Sequence, residues 1–380
     1  MRRGRATIAT HSHREIESVS RPVVPPITLA SVYEFGDLDT LLAAYKGGKS
    51  AWSFYRRFGH SNGRLLEETM AALEGTGDAL ACASGMAAVL TIFSGLLGKG
   101  DRIVAQRDLY GGTYAYLQNQ VGRLGAEVTL VDGEDLPAAI VPGTRIVVVE
   151  TVSNPLIRVA DLAAVGRAAR RAGAILVVDN TFATPILCRP AEWGADVVFH
   201  SGTKFLNGHG DAVSGVICAS RKLLGPMRAF AAGMGTGVSP LDAWLTLRGL
   251  KTLGLRVARA SDNAVQVAAL LSRHRKVARV NYPKPVRYLR PHRGPMLSFE
   301  LRGGLRSAAR FVRACRLIRL VPSLGDVTTT CTHPARSSHA YMSPAERALV
   351  VISDGLMRIS TGIEDIADIL EDLSQALAKV

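Results

Sequence analysis

The sequence is short of paired cysteines, aromatic residues and acidic charge, and it contains no long apolar run. Its five cysteines, Cys82, Cys188, Cys218, Cys315 and Cys331, are odd in number and widely scattered, with no C-x-x-C pair. That argues against a disulfide framework or a zinc site and for a reducing compartment; no metal site is expected. No apolar stretch approaches a membrane span. Met1 to Glu17 is basic but has no apolar core, so no signal peptide is expected. The expected location is cytoplasmic. The net charge of +14 is spread along the chain, without a basic tail and with little aromatic interleaving. Nucleic acid is therefore not an expected partner, and attraction of anionic ligands is a milder use of the same charge.

What is present suits a globular chain with a sizeable core. Hydrophobic residues make up 47% of 380 positions and charged residues 21%. That length predicts one large and one smaller domain. Residues 1–50 lack a clear period, and Arg21-Pro-Val-Val-Pro-Pro26 is stiff and extended. Such an arm is either disordered or lies across a partner subunit. Over 51–240 apolar strands alternate with helices. Strands are expected at 79–82, 102–105, 127–131, 145–150, 175–179, 196–200 and 215–218. Helices are expected at 65–73, 84–97, 111–123 and 161–172, with Asp161 as an N-cap and Gly173 as a stop. This pattern predicts an α/β domain with a mostly parallel sheet, whose ligands gather where strands hand over to loops. From 241 to 380 the pattern changes. A long basic helix runs to about Arg275, followed by prolines, a strand at 296–301, a helix at 305–318, a strand at 356–360 and a last helix from Glu364. That predicts a smaller α+β domain.

The chain is organised around Lys204. Val197-Val-Phe199 is strand-like and ends in His200-Ser-Gly-Thr203, with the lysine just beyond and no helix start after it. Lysine forms Schiff bases with carbonyls, and Ser201, Gly202 and Thr203 offer hydroxyls and close backbone approach to an anion. The functional reading is a pyridoxal-phosphate lysine; the bland one is an ordinary lysine after a strand. Other positions carry similar pairs of readings. Ser84-Gly85-Met86 is a phosphate-binding helix start or a plain capped turn. Asp179 faces a ring nitrogen or caps a turn. Tyr110 stacks on a flat cofactor or is a surface tyrosine. Arg358 points away from Met357 and Ile359, and clamps a carboxylate or makes a structural ion pair.

Taken in order, these segments resemble the Cys/Met-metabolism family of fold-type-I pyridoxal-phosphate (PLP) enzymes, the group of cystathionine γ-synthase, cystathionine γ-lyase and methionine γ-lyase. The resemblance rests on Ser84-Gly-Met-Ala-Ala88, Asp108-Leu-Tyr-Gly-Gly-Thr113, Glu150-Thr-Val-Ser-Asn-Pro155, Val178 to Pro185, His200 to His209, Asp242 to Thr252, Ser323-Leu-Gly325 and Ile352 to Ser360. It implies a seven-stranded-type, mostly parallel sheet domain with a smaller C-terminal domain. It implies Lys204 as the internal aldimine, Gly85, Met86, Ser201 and Thr203 at the phosphate, and Tyr55 and Arg57 reaching the phosphate of a neighbouring subunit. Asp179 would meet the ring nitrogen, Tyr110 the ring face and Asn154 the ring hydroxyl. Arg358, Asn154 and Ser323 would grip the substrate carboxylate. The implied activity is γ-elimination or γ-replacement on a γ-substituted L-amino acid, through a vinylglycine-type ketimine, with Tyr110 protonating the leaving group. The implied assembly is a homotetramer of two dimers with shared sites. A non-catalytic scaffold of the same fold is the competing class, and joint retention of Lys204, Asp179, Tyr110 and Arg358 argues against it.

The chain departs from the family at positions that bear on substrate. His60-Ser61-Asn62 replaces Asn-Pro-Thr. Gly112 stands where methionine γ-lyases commonly have cysteine. Thr328 and Phe54 stand where acids are common in relatives that handle cystathionine. The segment 282–296 is short and holds Arg287, Arg290 and Arg293, which predicts a reshaped or more cationic substrate entrance. These departures favour a specialised enzyme, with an activated homoserine ester as a reasonable substrate, over a housekeeping cystathionine enzyme or a typical methionine γ-lyase.

Overall fold

The computed structural model describes residues 4–10, 22–46, 54–340 and 342–380. Parts of the expected arm, including Arg21, lie outside the described residues. The chain divides into two compact units, Met1–Gly98 with Asp196–Leu253, and Lys99–Ala195 with Gly254–Val380.

In the first unit, β1 (Asp78–Cys82), β6 (Val197–Ser201) and β7 (Gly215–Ala219) lie in the order β1-β7-β6, and both pairings are antiparallel. The segment joining β6 to β7 contains no helix, so the strand returns directly beside its predecessor instead of crossing over. The helix Ser61–Glu74 buries Leu66, Met70 and Leu73 and stops at Gly75, whose φ of 75° is left-handed. His60 caps its start by accepting the Gly63 N–H at 3.0 Å, and its other ring nitrogen lies 2.9 Å from the Val238 carbonyl. Asn62 accepts from Thr28 N at 2.9 Å and donates to the Pro26 carbonyl at 2.8 Å. Trp244 Nε1 donates to the Pro25 carbonyl at 2.8 Å. The proline-rich stretch is therefore anchored inside its own unit, by Asn62 and Trp244.

In the second unit, β2 (Arg102–Gln106), β3 (Glu127–Val131), β4 (Thr144–Glu150) and β5 (Ile175–Asp179) lie in the order β5-β4-β2-β3, all parallel. Ile146 to Val149 are at most 1% exposed, as a strand covered on both faces requires. A smaller sheet has the order β10-β11-β12-β9-β8, from β8 (Val277–Asn281), β9 (Met296–Leu301), β10 (Arg319–Leu320), β11 (Thr330–Thr332) and β12 (Leu356–Ser360). Phe299, Met357 and Ile359 of that sheet share a core with Val267, Leu271, Phe311 and Leu373 from the helices. The fold is α/β, with a mostly parallel main sheet and a second, smaller sheet.

Besides the helix expected over 111–123, which stops at Asn119 ahead of a 3-10 turn over Val121–Leu124, two expected helices differ. The long one is two, Pro240–Leu250 and Leu253–Arg273. The other ends at Ala314 instead of Ile318, because the Asp372 carboxylate accepts the N–H groups of Arg316, Leu317 and Ile318 at 2.8–2.9 Å and turns the chain into β10. The helices Arg221–Met234 and Pro344–Leu349 and the strand β8 were not expected from the pattern.

Candidate active site

The lysine sits on a base made of backbone and short hydroxyls. β6 buries Val197 to His200 and ends at Ser201. In the turn beyond, Lys204 N donates to the Ser201 carbonyl at 3.2 Å, and its own carbonyl accepts from Gly208 N at 2.8 Å. Ser214 N donates to Thr203 Oγ1 at 3.1 Å, and Thr203 N to the Ser214 carbonyl at 3.3 Å. Ser214 Oγ meets Thr246 Oγ1 at 2.9 Å, tying the turn to the helix Pro240–Leu250. A Cβ at Gly249 would stand 2.2 Å from the Asn207 carbonyl oxygen, so only glycine lets that helix approach so closely. Behind the strand, His200 Nε2 and Glu74 Oε1 lie 2.6 Å apart, both fully buried.

The helix Gly85–Leu96 begins beside this turn. Ser84 caps it by accepting the Ala87 N–H at 3.0 Å, and the Ser84 carbonyl takes that of Ala88 at 3.0 Å. Gly85 and Met86 are left as first-turn N–H donors without an intrahelical acceptor. A Cβ on Gly85 would lie 2.9 Å from Ser201 Cβ, which brings the helix start and the serine hydroxyl into one cradle. Tyr55 is 40% exposed, and the Arg57 guanidinium carbon lies 5.5 Å from its ring centroid and 5.1 Å from that of Phe58. Arg57 Nη1 also donates to the Ala232 carbonyl.

A second group is assembled in the other unit from buried charges. β4 and β5 end in acids that are register partners, Glu150 and Asp179. Asp179 Oδ1 accepts the Thr181 N–H at 2.8 Å. Glu150 is 4% exposed and accepts Tyr110 N on Oε1 at 2.5 Å and Asn154 N on Oε2 at 2.9 Å. Burial, and then the Asp179 carboxylate, push its pKa well above the ordinary range; the two N–H groups pull the other way. Arg358 leaves β12 on the face opposite Met357 and Ile359 and is 4% exposed. Nη1 donates to Asn154 Oδ1 at 2.8 Å and Nη2 to the Ser323 carbonyl at 3.0 Å. Nε is buried and has no hydrogen-bond partner among the described residues. Burial lowers the Arg358 pKa to about 10, with Tyr110 acting in opposition. His339, 1% exposed, is pushed down to about 4, mainly by burial and also by Arg358, against the backbone of Leu109. It is therefore neutral near pH 7.

The second unit thus brings Tyr110, Asn154, Asp179, Ser323 and Arg358 into one set, and the first brings Gly85, Met86, Ser201, Thr203 and Lys204 into another. Glu150 and His339 were missed as functional candidates. Glu150 carried a usable signal: like Asp179, it is an acid closing an apolar strand. His339 carried none.

The positions expected to bear on substrate are also placed. Phe54 lies among aromatic rings, with centroids 5.9 Å from Phe35, 5.5 Å from Tyr45 and 5.5 Å from Phe58. Gly112 is in the first turn of the helix Gly111–Asn119. Thr328 N and Oγ1 both donate to Asp326 Oδ1 at 2.9 Å. In the 282–296 segment Arg287 lies over Trp193, Arg293 over Tyr282, and Tyr288 Oη donates to the Ala160 carbonyl. Arg287 and Arg293 are thus engaged with rings.

A family model described as "Cys/Met metabolism PLP-dependent enzyme" matches residues 6–378. The chain belongs to this family. It is 40% identical to an L-methionine gamma-lyase of Pseudomonas putida, over 98% of this chain and 97% of that one. It is 37% identical to an O-succinylhomoserine sulfhydrylase of Pseudomonas aeruginosa, over 88% of this chain and 86% of that one. A crystal structure of cystathionine gamma synthase from Xanthomonas oryzae pv. oryzae, in complex with aminoacrylate and cysteine, superposes with a TM-score of 0.91 at 36% identity, covering 99% and 98% of the two chains. As a Cys/Met-metabolism enzyme, the chain is a PLP-dependent lyase or transferase acting at Cγ. Its residues fit that cofactor: the Gly85–Ser201 cradle with two first-turn N–H groups suits a phosphate, and Lys204 lies three residues beyond Ser201. Among the described residues no helix is long and apolar enough to cross a membrane, and all five cysteines are free.

Proposed function

We propose that this enzyme carries out γ-elimination or γ-replacement on an L-amino acid whose γ-substituent lacks a distal ammonium group, with an activated homoserine ester as the leading candidate. The observation that carries the reading is Arg358: a guanidinium 4% exposed, steered by Asn154 and the Ser323 carbonyl, with a buried Nε and, among the described residues, no carboxylate paired with it. A buried cation without an anion is costly unless a ligand supplies one, and a substrate α-carboxylate does.

In this reading Gly85, Met86, Ser201 and Thr203 hold the cofactor phosphate, joined by Tyr55 and Arg57 of a neighbouring subunit in a homotetramer with shared sites. Residues 51–240 form the cofactor-binding domain and 241–380 the smaller one. Asp179 pairs with the ring nitrogen, Tyr110 covers the ring, and Asn154 serves both the ring hydroxyl and Arg358. When bound, PLP supplies an electron sink that stabilises negative charge at Cα and then at Cβ. Lys204 Nζ would take the Cα proton and hand it on to the cofactor, which frees the amine to take one from Cβ, and Tyr110 Oη would donate to the departing γ-substituent. The outcome depends on whether water or a second substrate arrives next. The aromatic setting of Phe54 supplies no anion for cystathionine's distal ammonium, and the carboxylate next to Thr328, that of Asp326, is engaged by the Thr328 N–H and hydroxyl.

The test is a substrate panel of L-methionine, L-homocysteine, L-cystathionine and O-acyl-homoserines, assayed for 2-oxo acid and ammonia with and without a thiol. O-acyl-homoserine is expected to turn over fastest. Preference for L-cystathionine would overturn the substrate assignment, and a colourless protein that resists reconstitution with PLP would overturn the residue roles.

A further inference from the structure

We propose that Glu150 is a positioning residue: its carboxyl group fastens the loop carrying Tyr110 and the loop carrying Asn154 to one another, and so sets the aromatic ring and the Arg358 clamp in register. This rests on the functional reading above and deepens it.

The geometry is specific. Oε1 takes Tyr110 N at 2.5 Å and Oε2 takes Asn154 N at 2.9 Å, so each oxygen serves a different loop. Asn154 passes the constraint on, because its Oδ1 accepts from Arg358 Nη1 at 2.8 Å. Glu150 closes β4, whose preceding residues Ile146 to Val149 are at most 1% exposed, so its backbone is fixed by the sheet. Among the described residues no cation pairs with it, and its register partner is a second acid. Placing an acid in such a setting costs stability. A residue kept only to satisfy one N–H would not need to be an acid. Here the two N–H groups land on different oxygens of one side chain, an arrangement that a carboxyl group supplies. Glutamine offers one oxygen and would turn an N–H donor toward the other loop.

Tyr110 and Asn154 have side chains with different tasks, one for the leaving group and one for the carboxylate end of the substrate. A group that ties only their backbones contributes through placement, and small misplacements of reacting groups lower rates on the order of 10- to 100-fold.

The experiment compares holoenzyme variants Glu150→Gln and Glu150→Asp with wild type. Backbone hydrogen–deuterium exchange is followed in peptides covering 108–114 and 151–158, alongside kcat and KM with the best substrate of the panel, the visible cofactor band and Tm. For Glu150→Gln, faster exchange is expected in both loops together, with kcat/KM reduced on the order of 10- to 100-fold and the cofactor retained. Glu150→Asp, which keeps two acceptor oxygens on a shorter stem, should fall between; it carries the comparison if the glutamine variant does not fold. Unchanged exchange, or a change in one loop alone, overturns the fastening. Wild-type kcat and KM with a lowered Tm overturns the positioning role and leaves a structural one. If wild type turns over none of the panel, the functional reading has failed, while the exchange data still judge the fastening.

Discussion

The lysine-bearing group and the arginine-bearing group are built from opposite materials. The first uses glycines, hydroxyls and backbone N–H groups close together in sequence: Ser201, Gly202, Thr203 and Lys204 are consecutive, and Ser214 is eleven residues from Thr203. The second uses buried charge joined over long range: Arg358 and Asn154 are 204 residues apart. In the first group sterics decide, because a hydrogen bond between short neutral groups is worth only about 1 kcal/mol net. In the second, polarity decides, because each charged atom taken out of water must find a partner. The two groups should therefore fail differently when changed.

The largest effect is expected at Lys204. Lys204→Ala should abolish measurable turnover while leaving in place the backbone bonds of Ser201, Lys204 and Gly208 that shape the turn. In wild type, borohydride reduction followed by peptide mapping should place the cofactor label on Lys204. Label on another lysine would remove the centre of the first group.

Next is Arg358→Lys, which keeps the charge and loses the fork. An ammonium cannot serve Asn154 Oδ1, the Ser323 carbonyl and an incoming carboxylate in one plane. The expected result is a rise in KM on the order of 100-fold, equivalent to about 2–3 kcal/mol, with a smaller fall in kcat. An unchanged KM would mean that the buried charge of the second group is structural and that the substrate carboxylate is held elsewhere.

Gly215→Ala tests the steric side. A Cβ there would stand 2.1 Å from the Ser84 carbonyl oxygen, a backbone atom that cannot swing aside. A loss of about 1–3 kcal/mol in unfolding free energy is expected, as for overpacking, together with weaker cofactor retention. A neutral result would show that the turn before the helix Gly85–Leu96 has room to move, and the contrast between the groups would weaken.

The same contrast explains what could be read in the sequence. The strands β3, β5, β9 and β12 match their expected bounds because each is a short apolar or alternating run with clear ends. The lysine turn was legible for the same reason, since its chemistry lies within a few residues. The arginine clamp was legible only in part. Its alternation with Met357 and Ile359 gave its direction, but no local pattern joins it to Asn154, to the Ser323 carbonyl or to His339. The helix expected over 305–318 failed for a related reason: what ends it is Asp372, a carboxylate more than fifty residues downstream. What holds the proline stretch within its unit was not legible either, because Asn62 and Trp244 are also distant from it in sequence.

Asp372 gives the smallest prediction and a control for the second group, since it is a buried acid that nothing ties to the reaction. Burial pushes its pKa up, but the N–H groups of Ile318, Arg316 and Leu317 and the Gln375 amide outweigh that and hold it below the usual 3.8. A carboxylate whose folded pKa is depressed stabilises the fold fully above its unfolded pKa, and that contribution is lost as pH falls through the folded one. Asp372→Asn should therefore cost about 1–3 kcal/mol near neutral pH, with kcat and KM unchanged. The Tm gap between variant and wild type should shrink as the pH is lowered below about 4. A gap independent of pH would mean that Asp372 acts by shape and not by charge. A change in KM would mean that buried acids in this unit reach the substrate through the smaller sheet, and Glu150 would lose its distinction as the acid that serves the reaction.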